Sequence, residues 1–259
     1  MKNLKTLKTI LIAVLVISFI SLSSYAQDSE SEPGDLIFII ADNVSPSNFA
    51  EYEQWIKEFK ELADATGAPG YGVGRNDQGM SFFMNVGKTM AGFDELNKKF
   101  GEWFANNPKA MELEMKYGHT RNYSKNSLWR HNPGQSYVPA GYDNTVTRTY
   151  TDVFTGWIKS GQVEKANETI AEYVAAWTKA GISASTNTYW NVFGEEQACV
   201  VFVTSYTDFG AYAAGRQEVY EKVGEAKLNE LESKLNSVLR KSESSQSTGR
   251  PDLAHSNEE

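Results

Sequence analysis

Apolar residues recur in a fixed order of short runs and helical stripes from residue 36 onward. Leu36–Ala41 (LIFIIA) is a short apolar run rich in β-branched residues, which predicts a buried strand. Ser45-Pro46 then offers an N-cap followed by proline at the first helical position. Large apolar residues three or four positions apart follow, which predicts one buried face of a helix: Phe49, Tyr52, Trp55, Phe59 and Leu62.

The next apolar segments predict a hairpin and a second helix. Tyr71–Arg75 and Met80–Val86 have the pattern of strands, and Asn76–Gly79 between them is favourable hairpin-turn sequence. The second helical stripe ends near Asn107-Pro108 and consists of Phe93, Leu96, Phe100 and Trp103. The predicted order is therefore strand, helix, strand, strand, helix.

The same order returns in the second half of the chain. Its elements are a strand at Thr151–Ile158, a helical stripe of Val163, Ala166, Ile170, Tyr173 and Trp177, and hairpin strands at Thr188–Phe193 and Ala198–Thr204. Thr207 or Asp208 is placed to cap a last helix, and its apolar spacing extends that helix to about Arg240.

The spacing between matching elements indicates an internal duplication. Tyr71 and Tyr189 are 118 positions apart, as are Pro133 and Pro251, whereas the first strands and helices match at 114. The four-residue difference falls in the loop before the hairpin, where an insertion costs little. We therefore interpret residues 36–139 and 140–240 as two repeats, and the polar residues 241–259 as a mostly mobile tail.

A strand, helix, hairpin, helix and final strand is the split βαβ, or ferredoxin-like, order. Each sheet would carry helices on one face, so its other face must be buried against something, and two repeats can cover each other. Over about residues 35–240 the sequence resembles, by topology, the dimeric α/β-barrel superfamily in its fused form. The predicted fold class is α+β, with two ferredoxin-like βαββα(β) repeats packed as a fused dimeric α/β-barrel.

That superfamily includes cofactor-independent antibiotic-biosynthesis monooxygenases, haem-degrading monooxygenases, chlorite dismutase-like haem proteins and stress-responsive barrel proteins. The resemblance therefore implies an enzyme as one option, with haem as its candidate cofactor. Haem-degrading relatives use an asparagine near the end of the first strand and a later tryptophan and histidine, and Asn43, Trp103 and His119 follow that order. Trp103 belongs to the apolar helix face, however, and its gap to His119 is wider than in that family. Asn43 and His119 are the catalytic candidates.

The first residues have the composition of a secretory signal peptide. Three lysines precede the eleven-residue apolar segment Ile10–Ile20, and Ser21–Ala26 ends in small residues suited to cleavage after Ala26. A largely apolar segment of eleven residues is too short for a membrane span, which needs about 20. We expect a signal peptide at 1–26, a flexible lead-in at 27–35, and a secreted or periplasmic mature protein.

The net charge limits the classes of partner that we expect, and the cysteine content limits the disulfides that the chain can form. The formal net charge of −8 gives no electrostatic reason to bind nucleic acid or an anionic membrane, so neither is expected as a partner after signal cleavage. Cys199 is the one cysteine and lies in the apolar run ACVVFV. It cannot form an internal disulfide, and we expect a buried apolar side chain there.

Motifs for nucleotide binding, zinc proteolysis and serine hydrolysis are absent from the sequence. With three histidines, a metal site built from several of them is not expected. His119 would serve as a haem ligand or as an acid–base group, but a solvated or hydrogen-bonded loop histidine is the favoured explanation.

Aromatic and polar residues of the predicted strands form the candidate ligand-binding set: Tyr71, Arg75, Trp157, Tyr189, Trp190 and Asn191. Facing the barrel interior, they would line a cavity for a small hydrophobic or aromatic ligand between the two repeats. They would equally fill a closed interior. Three hypotheses follow, in this order: a ligand-binding module, a monooxygenase-like or haem-dependent enzyme on the same scaffold, and an interaction protein with a filled core.

Overall fold

Backbone pairing joins eight strands into one closed barrel in the computed structural model, which describes residues 34–195 and 198–256. The predicted signal peptide (1–26) and residues 27–33 of the lead-in lie outside the described residues. Both repeats belong to a single compact unit, residues 33–259.

The first repeat contains four strands and three helices among the described residues. They are β1 (Leu36–Val44), α1 (Phe49–Thr66), β2 (Gly72–Asn76), β3 (Met80–Gly87), α2 (Met90–Asn106), α3 (Pro108–Tyr117) and β4 (Arg121–His131). The second repeat has the same order. Its elements are β5 (Tyr150–Ile158), α4 (Val163–Ala180), β6 (Thr186–Phe193), β7 (Cys199–Tyr206), α5 (Phe209–Val223), α6 (Glu225–Val238) and β8 (Leu239–Gly249).

The predicted helices form where the apolar stripes placed them. In α1 the buried residues are Tyr52, Trp55, Ile56, Phe59 and Ala63, one face of an 18-residue helix. Both α1 and the equivalent α4 end at a glycine with positive φ, Gly67 and Gly181, a conformation that glycine adopts without steric cost. Asp208 caps α5 as predicted, because its side chain accepts a hydrogen bond from the Ala211 amide.

The eight strands follow the order β1-β3-β2-β8-β5-β7-β6-β4 around the barrel, and every paired neighbour is antiparallel. The helices cover the outside of the barrel. Strand residues such as Val44, Val73 and Phe83 join α1, α2 and α3 in the largest core cluster. The fold class predicted from the sequence is therefore confirmed.

Alternate strand residues face the barrel interior, because side chains along a strand point to opposite faces. One level of this interior is filled by buried Trp129, Trp157 and Cys199, with three partly buried residues packed against them: Ile39, Tyr189 and Val201. Five of the eight strands contribute to this cluster. At this level of the interior, side chains therefore fill the space that a ligand would need, as expected for a barrel of eight strands.

Two features of the C-terminal region differ from the sequence-based prediction. Residues 241–259 are not a mobile tail throughout, because 239–249 form β8, which pairs with β5 along its whole length and with the end of β2. The sequence LRKSESSQSTG has no apolar pattern since much of this strand is exposed, so backbone pairing alone specifies it. The single last helix is also two helices, divided at Gly224, whose φ is +86°.

Candidate binding site at one seam of the barrel

The two repeats meet at two seams, where β8 pairs with β2 and where β4 pairs with β6. After each of β8 and β4 the chain crosses onto the other repeat. His255 bridges to Tyr71 just before β2, and Tyr137 bridges to Thr186 at the start of β6. These matching bridges define which residues of the two seams are equivalent.

Arg75 and Trp190 occupy equivalent positions at the two seams. Arg75 lies four residues after Tyr71, and Trp190 lies four residues after Thr186. The expected match of Tyr71 with Tyr189 is therefore wrong, because strand pairing places Thr186 opposite Tyr137 as Tyr71 lies opposite His255. In the first hairpin β2 and β3 pair close to the turn, whereas in the second hairpin β6 and β7 pair farther from it. A single sequence spacing between the two repeats therefore does not identify the equivalent strand residues.

Apolar side chains close the β4–β6 seam. Leu36, Phe93 and Leu128 are fully or almost fully buried there and form one cluster with Phe38 and Phe193. Beside them the Trp190 indole nitrogen donates to Gln135 Oε1 at 2.6 Å, and Gln135 in turn donates to Asn167 Oδ1 at 2.8 Å. This seam is thus a packed core with its polar groups satisfied inside the protein.

Polar and aromatic side chains replace that apolar trio at the β2–β8 seam. Tyr150 begins β5 as Leu36 begins β1, and Gln246 is the eighth residue of β8 as Leu128 is of β4. Tyr212 follows its helix cap by four residues, as Phe93 does. The Tyr150 hydroxyl donates to Gln246 Oε1 at 2.6 Å, and Gln246 Nε2 donates to the Tyr212 hydroxyl at 3.1 Å. The β2–β8 seam therefore has a hydrogen-bonded trio at the positions where the β4–β6 seam has buried apolar side chains.

The β2–β8 seam is also open to solvent. It contains a cleft of about 370 Å³, lined by Arg75, Asn76, Asp77, Tyr150, Gln246, Thr248 and Arg250. Residues of both repeats line it, and its volume falls in the range of small-molecule sites. Phe209 packs against the Tyr150 ring at 5.8 Å and is 62% exposed, which extends the aromatic surface beyond the tyrosine.

The two arginines of this cleft differ in their partners. Arg250 donates to both carboxylate oxygens of Glu53 at 3.2 Å and also pairs with Asp252. Arg75 instead lies over the Phe49 ring, 4.4 Å from its centre, and its Nε is 3.5 Å from Ser81 Oγ. No carboxylate of the described residues forms an ion pair with Arg75, so its guanidinium keeps unused donors at the cleft.

Burial raises the pKa of the Tyr150 hydroxyl, and nearby Tyr212, Asp152 and Asp77 raise it further. Tyr150 therefore stays protonated at neutral pH and acts as the donor to Gln246. Burial also raises the pKa of Asp152, which is opposed by Arg216, 3.8 Å away.

Three of the six sequence-predicted ligand-binding residues face the barrel interior. Trp157 and Tyr189 belong to the filled interior cluster, and Trp157 donates to Glu195 at 3.1 Å. The Asn191 side-chain amide donates a local hydrogen bond to the Phe193 carbonyl oxygen at 2.6 Å. These three residues serve the packed interior and do not line the seam cleft.

The other three predicted residues face the helices, contrary to the expectation that they share the interior. Tyr71 packs against the rings of Phe59 and Phe83 in the first-repeat core. Trp190 belongs to the second-repeat core. Arg75 lines the seam cleft. Neighbouring strand positions alternate between the two faces of the sheet, so the predicted set is divided between four places: the barrel interior, the two helix-facing cores and the seam cleft.

The structure does not bring Asn43 and His119 into one site. Asn43 accepts a hydrogen bond from Asn122 at 2.8 Å near the barrel end. His119 lies on the outer surface, where its Nε2 is 3.2 Å from Glu51 and its side chain is 60% exposed. His255 is engaged through both ring nitrogens, and His131 lies against Tyr189. The His131 Nε2 lies 3.1 Å from Ser136 Oγ. No histidine of the described residues lines the seam cleft, so the cleft lining does not supply an axial ligand for haem.

The first repeat contains a buried polar cluster that was not predicted from the sequence. Asp42 is 1% exposed and accepts hydrogen bonds from Tyr52 at 2.7 Å and Ser124 at 2.5 Å. Arg121 lies 3.6 Å from Asp42 and donates to Glu114 at 2.6 Å. The acidic residue inside an otherwise apolar strand was the signal available in the sequence.

The second repeat lacks this cluster. Gly156 stands at the position of Asp42 and Leu239 at that of Arg121, and a Cβ on Gly156 would lie 2.9 Å from Leu239. An ion pair in one repeat thus corresponds to an apolar contact in the other.

The described residues were also compared with the requirements of a membrane-spanning helix and of a metal site. None of their helices combines the length and apolar character that a membrane crossing requires. In the same part of the chain, histidine, cysteine and acidic side chains do not gather in groups of three that would hold a metal ion.

No family model and no curated protein matches this sequence, but solved structures share its fold. An anthrone oxidase-like protein has a TM-score of 0.57 at 13% identity, over 85% of this chain and 92% of its own. A protein named as a candidate monooxygenase from Fusobacterium nucleatum subsp. nucleatum ATCC 25586 has a TM-score of 0.52 at 9% identity, over 85% and 94%. A mutant chlorite dismutase from Candidatus Nitrospira defluvii has a TM-score of 0.50 at 9% identity, over 86% and 95%.

At such low identities the likeness concerns the fold alone. This chain has the fused form of the dimeric α/β-barrel fold, as the sequence resemblance implied.

Proposed function

We propose that this protein binds a small planar aromatic or hydrophobic molecule in the cleft at the β2–β8 seam, between its two repeats. The observation that carries the proposal is the exchange of Leu36, Phe93 and Leu128 at one seam for Tyr150, Tyr212 and Gln246 at the other. A duplicated fold closes both seams most simply with apolar side chains. Polar groups at a half-buried seam bring no packing gain, so their presence together with an open cleft favours ligand recognition.

The chemistry of the cleft suits a flat ligand. The Tyr150 ring lines the cleft, with the Phe209 ring edge-to-face against it, and an aromatic molecule can pack on the Tyr150 ring in offset or edge-to-face geometry. Thr248, Asn76 and Arg75 add hydrogen-bonding groups around that surface. A few placed polar groups beside an aromatic wall are typical of sites that orient small ligands.

A screen of planar aromatic compounds by thermal shift, followed by calorimetry, tests the proposal. We expect saturable binding to the wild-type chain, weakened at least about tenfold by Tyr150→Ala, which removes an aromatic wall of the cleft. The matched control is Leu36→Ala at the equivalent position of the closed seam, which should lower stability and leave affinity unchanged once both proteins are folded. Equal loss of affinity in both variants, or binding unaffected by Tyr150→Ala, would contradict a site at this seam.

An enzyme on the same scaffold is the second candidate, since the solved structures that share the fold include proteins named as oxidase-like and monooxygenase. It predicts oxygen consumption when the protein is given a reduced planar aromatic compound that binds the cleft. An oxygen electrode measures this directly, with the Tyr150→Ala variant as control. Binding without oxygen uptake for any ligand of the screen removes this candidate and leaves the binding module; absence of any binding leaves the interaction protein.

We also propose export of the mature chain, because the first 26 residues have the basic, apolar and small-residue regions of a signal peptide. Expression in a bacterial host followed by intact-mass analysis of the extracytoplasmic fraction should find a chain beginning at Gln27. A protein retaining Met1 in the cytoplasm would contradict this.

A further inference from the structure

We infer that the ligand of the seam cleft is an aromatic anion, and that Arg75 determines this specificity. The inference rests on the proposed function and adds the charge of the ligand to it. Its basis is that Arg75 lines the cleft and forms no ion pair with a carboxylate of the described residues.

Two half-buried arginines, Arg121 and Arg250, have carboxylate partners, whereas half-buried Arg130 and Arg148 form no carboxylate ion pair among the described residues. Arg121 pairs with Glu114 and Asp42, and Arg250 pairs with Glu53 and Asp252. Arg75 is half-buried as well, yet its contacts are the Phe49 ring and the Ser81 hydroxyl. Its guanidinium therefore lines the cleft with terminal donors that no described side chain uses.

A guanidinium in this setting favours a carboxylate or phenolate oxygen. Its planar donors match two oxygen atoms at once, and hydrogen bonds between charged groups are stronger than neutral ones. The stack on Phe49 holds the side chain in place, so little conformational entropy is lost when a ligand binds.

The acidic groups at this seam already have donors. The Asp77 carboxylate accepts a hydrogen bond from the backbone N–H of Gln246 at 3.2 Å. Asp152 lies 3.8 Å from Arg216, and Glu53 is held by Arg250. Arg75 is consequently the charged group of the cleft lining for which the described residues supply no charged partner, and a ligand anion would pair with it.

Calorimetry with three probes of one shape tests the inference: 2-naphthoate, 2-naphthamide and 2-naphthylmethylamine, at low and moderate salt. We expect naphthoate to bind the wild-type chain at least about tenfold more tightly than the amide, with the amine weakest. Arg75→Gln should remove most of this preference, and Arg75→Lys, which keeps the charge, should retain part of it. Arg130→Gln is the matched control, because Arg130 is half-buried at the equivalent of Thr248 beside the closed seam.

The outcomes separate this inference from the proposed function. Equal binding of acid and amide, or tightest binding of the amine, would overturn the anion preference while leaving a ligand site at the seam. Loss of the preference in Arg130→Gln and not in Arg75→Gln would overturn the role of Arg75. No binding of any planar compound to the wild-type chain would contradict the proposed function itself. Unchanged circular dichroism and melting temperature confirm that each variant is folded.

Discussion

His255 is joined to Ala68 by a hydrogen bond between its Nε2 and the backbone carbonyl oxygen, 2.9 Å apart. Its Nδ1 lies 2.7 Å from Asp64 Oδ1, and its backbone exchanges two hydrogen bonds with Tyr71. At the equivalent point of the other repeat, the Tyr137 hydroxyl donates to the Ile182 carbonyl at 2.7 Å. Each repeat thus ends in a segment anchored in the other repeat, although the anchoring side chains differ.

Replacing His255 with alanine should destabilise the fold by about 1–3 kcal/mol, because a buried carbonyl loses its donor. The residue is 7% exposed, so water does not fully replace the imidazole. Urea unfolding followed by circular dichroism measures the change. His119→Ala is the control, since this exposed residue should change stability by less than about 0.5 kcal/mol. Equal effects of the two substitutions would show that the anchor contributes nothing.

Stability should depend on Glu53 in acid. The hydrogen bonds from Arg250 lower the pKa of Glu53 to about 2 from its ordinary value of 4.5. Because the folded-state pKa lies below the unfolded-state pKa, this stabilisation is complete above about pH 4.5 and is lost as the pH falls towards 2.

Unfolding curves between pH 6 and pH 2 test this link. Glu53→Gln should lower stability at pH 6 and flatten the dependence on pH below 4.5 relative to the wild type. The control is Glu95→Gln, since Glu95 forms an exposed pair with Lys99 on α2. Parallel curves for Glu53→Gln and the wild type would contradict the proposed coupling.

Removing Asp42 alone should be costly. Asp42→Ala leaves the Tyr52 and Ser124 hydroxyls and part of the Arg121 charge without their acceptor, at a cost of about 3 kcal/mol. The double variant Asp42→Ala/Arg121→Leu imitates the apolar contact of the second repeat. It should be less destabilising than Asp42→Ala, because no buried guanidinium is then left without Asp42, while Glu114, which loses its Arg121 partner, remains partly exposed to water. A strictly additive pair in urea unfolding would contradict this coupling.

The Cys199 thiol should not react in the native protein. Burial raises its pKa to about 12, and it is fully buried in the barrel interior, so little thiolate exists or is accessible at pH 8. Labelling with a chromogenic disulfide reagent should proceed only when denaturant is added. Complete labelling of the native chain within minutes would instead indicate frequent opening of the barrel.

The repeated order of elements could be predicted from the sequence because it depends on local pattern. The stripe that begins at Phe49 and the segment around Leu36–Ala41 bury one face each, and their spacing of 3.6 or 2 residues is visible in the chain itself. The strand β8 could not be recognised in this way. Its serines carry no apolar pattern, although the equal spacing of Pro133 and Pro251 was a signal that a strand matching β4 precedes Pro251.

The candidate site was predictable only in part. Arg75 was among the sequence-predicted residues and lines the seam cleft, although it faces the helices and not the barrel interior as expected. Trp190 was grouped with it although it fills the opposite seam. Tyr150, Tyr212 and Gln246 were missed, since nothing local distinguishes them from other surface residues. Their significance appears only when each is compared with Leu36, Phe93 and Leu128 at the other seam.

Sequence by itself determined the internal duplication, the α+β class and the faces of the main helices, because hydrophobic periodicity reports burial directly. Tertiary structure alone decided which strand positions face the interior, which seam is closed and which is open. Both depend on the register between strands far apart in the chain, and a shift of one residue sends a side chain to the opposite face. Arg75 therefore became a candidate specificity residue only when barrel closure set it opposite β8.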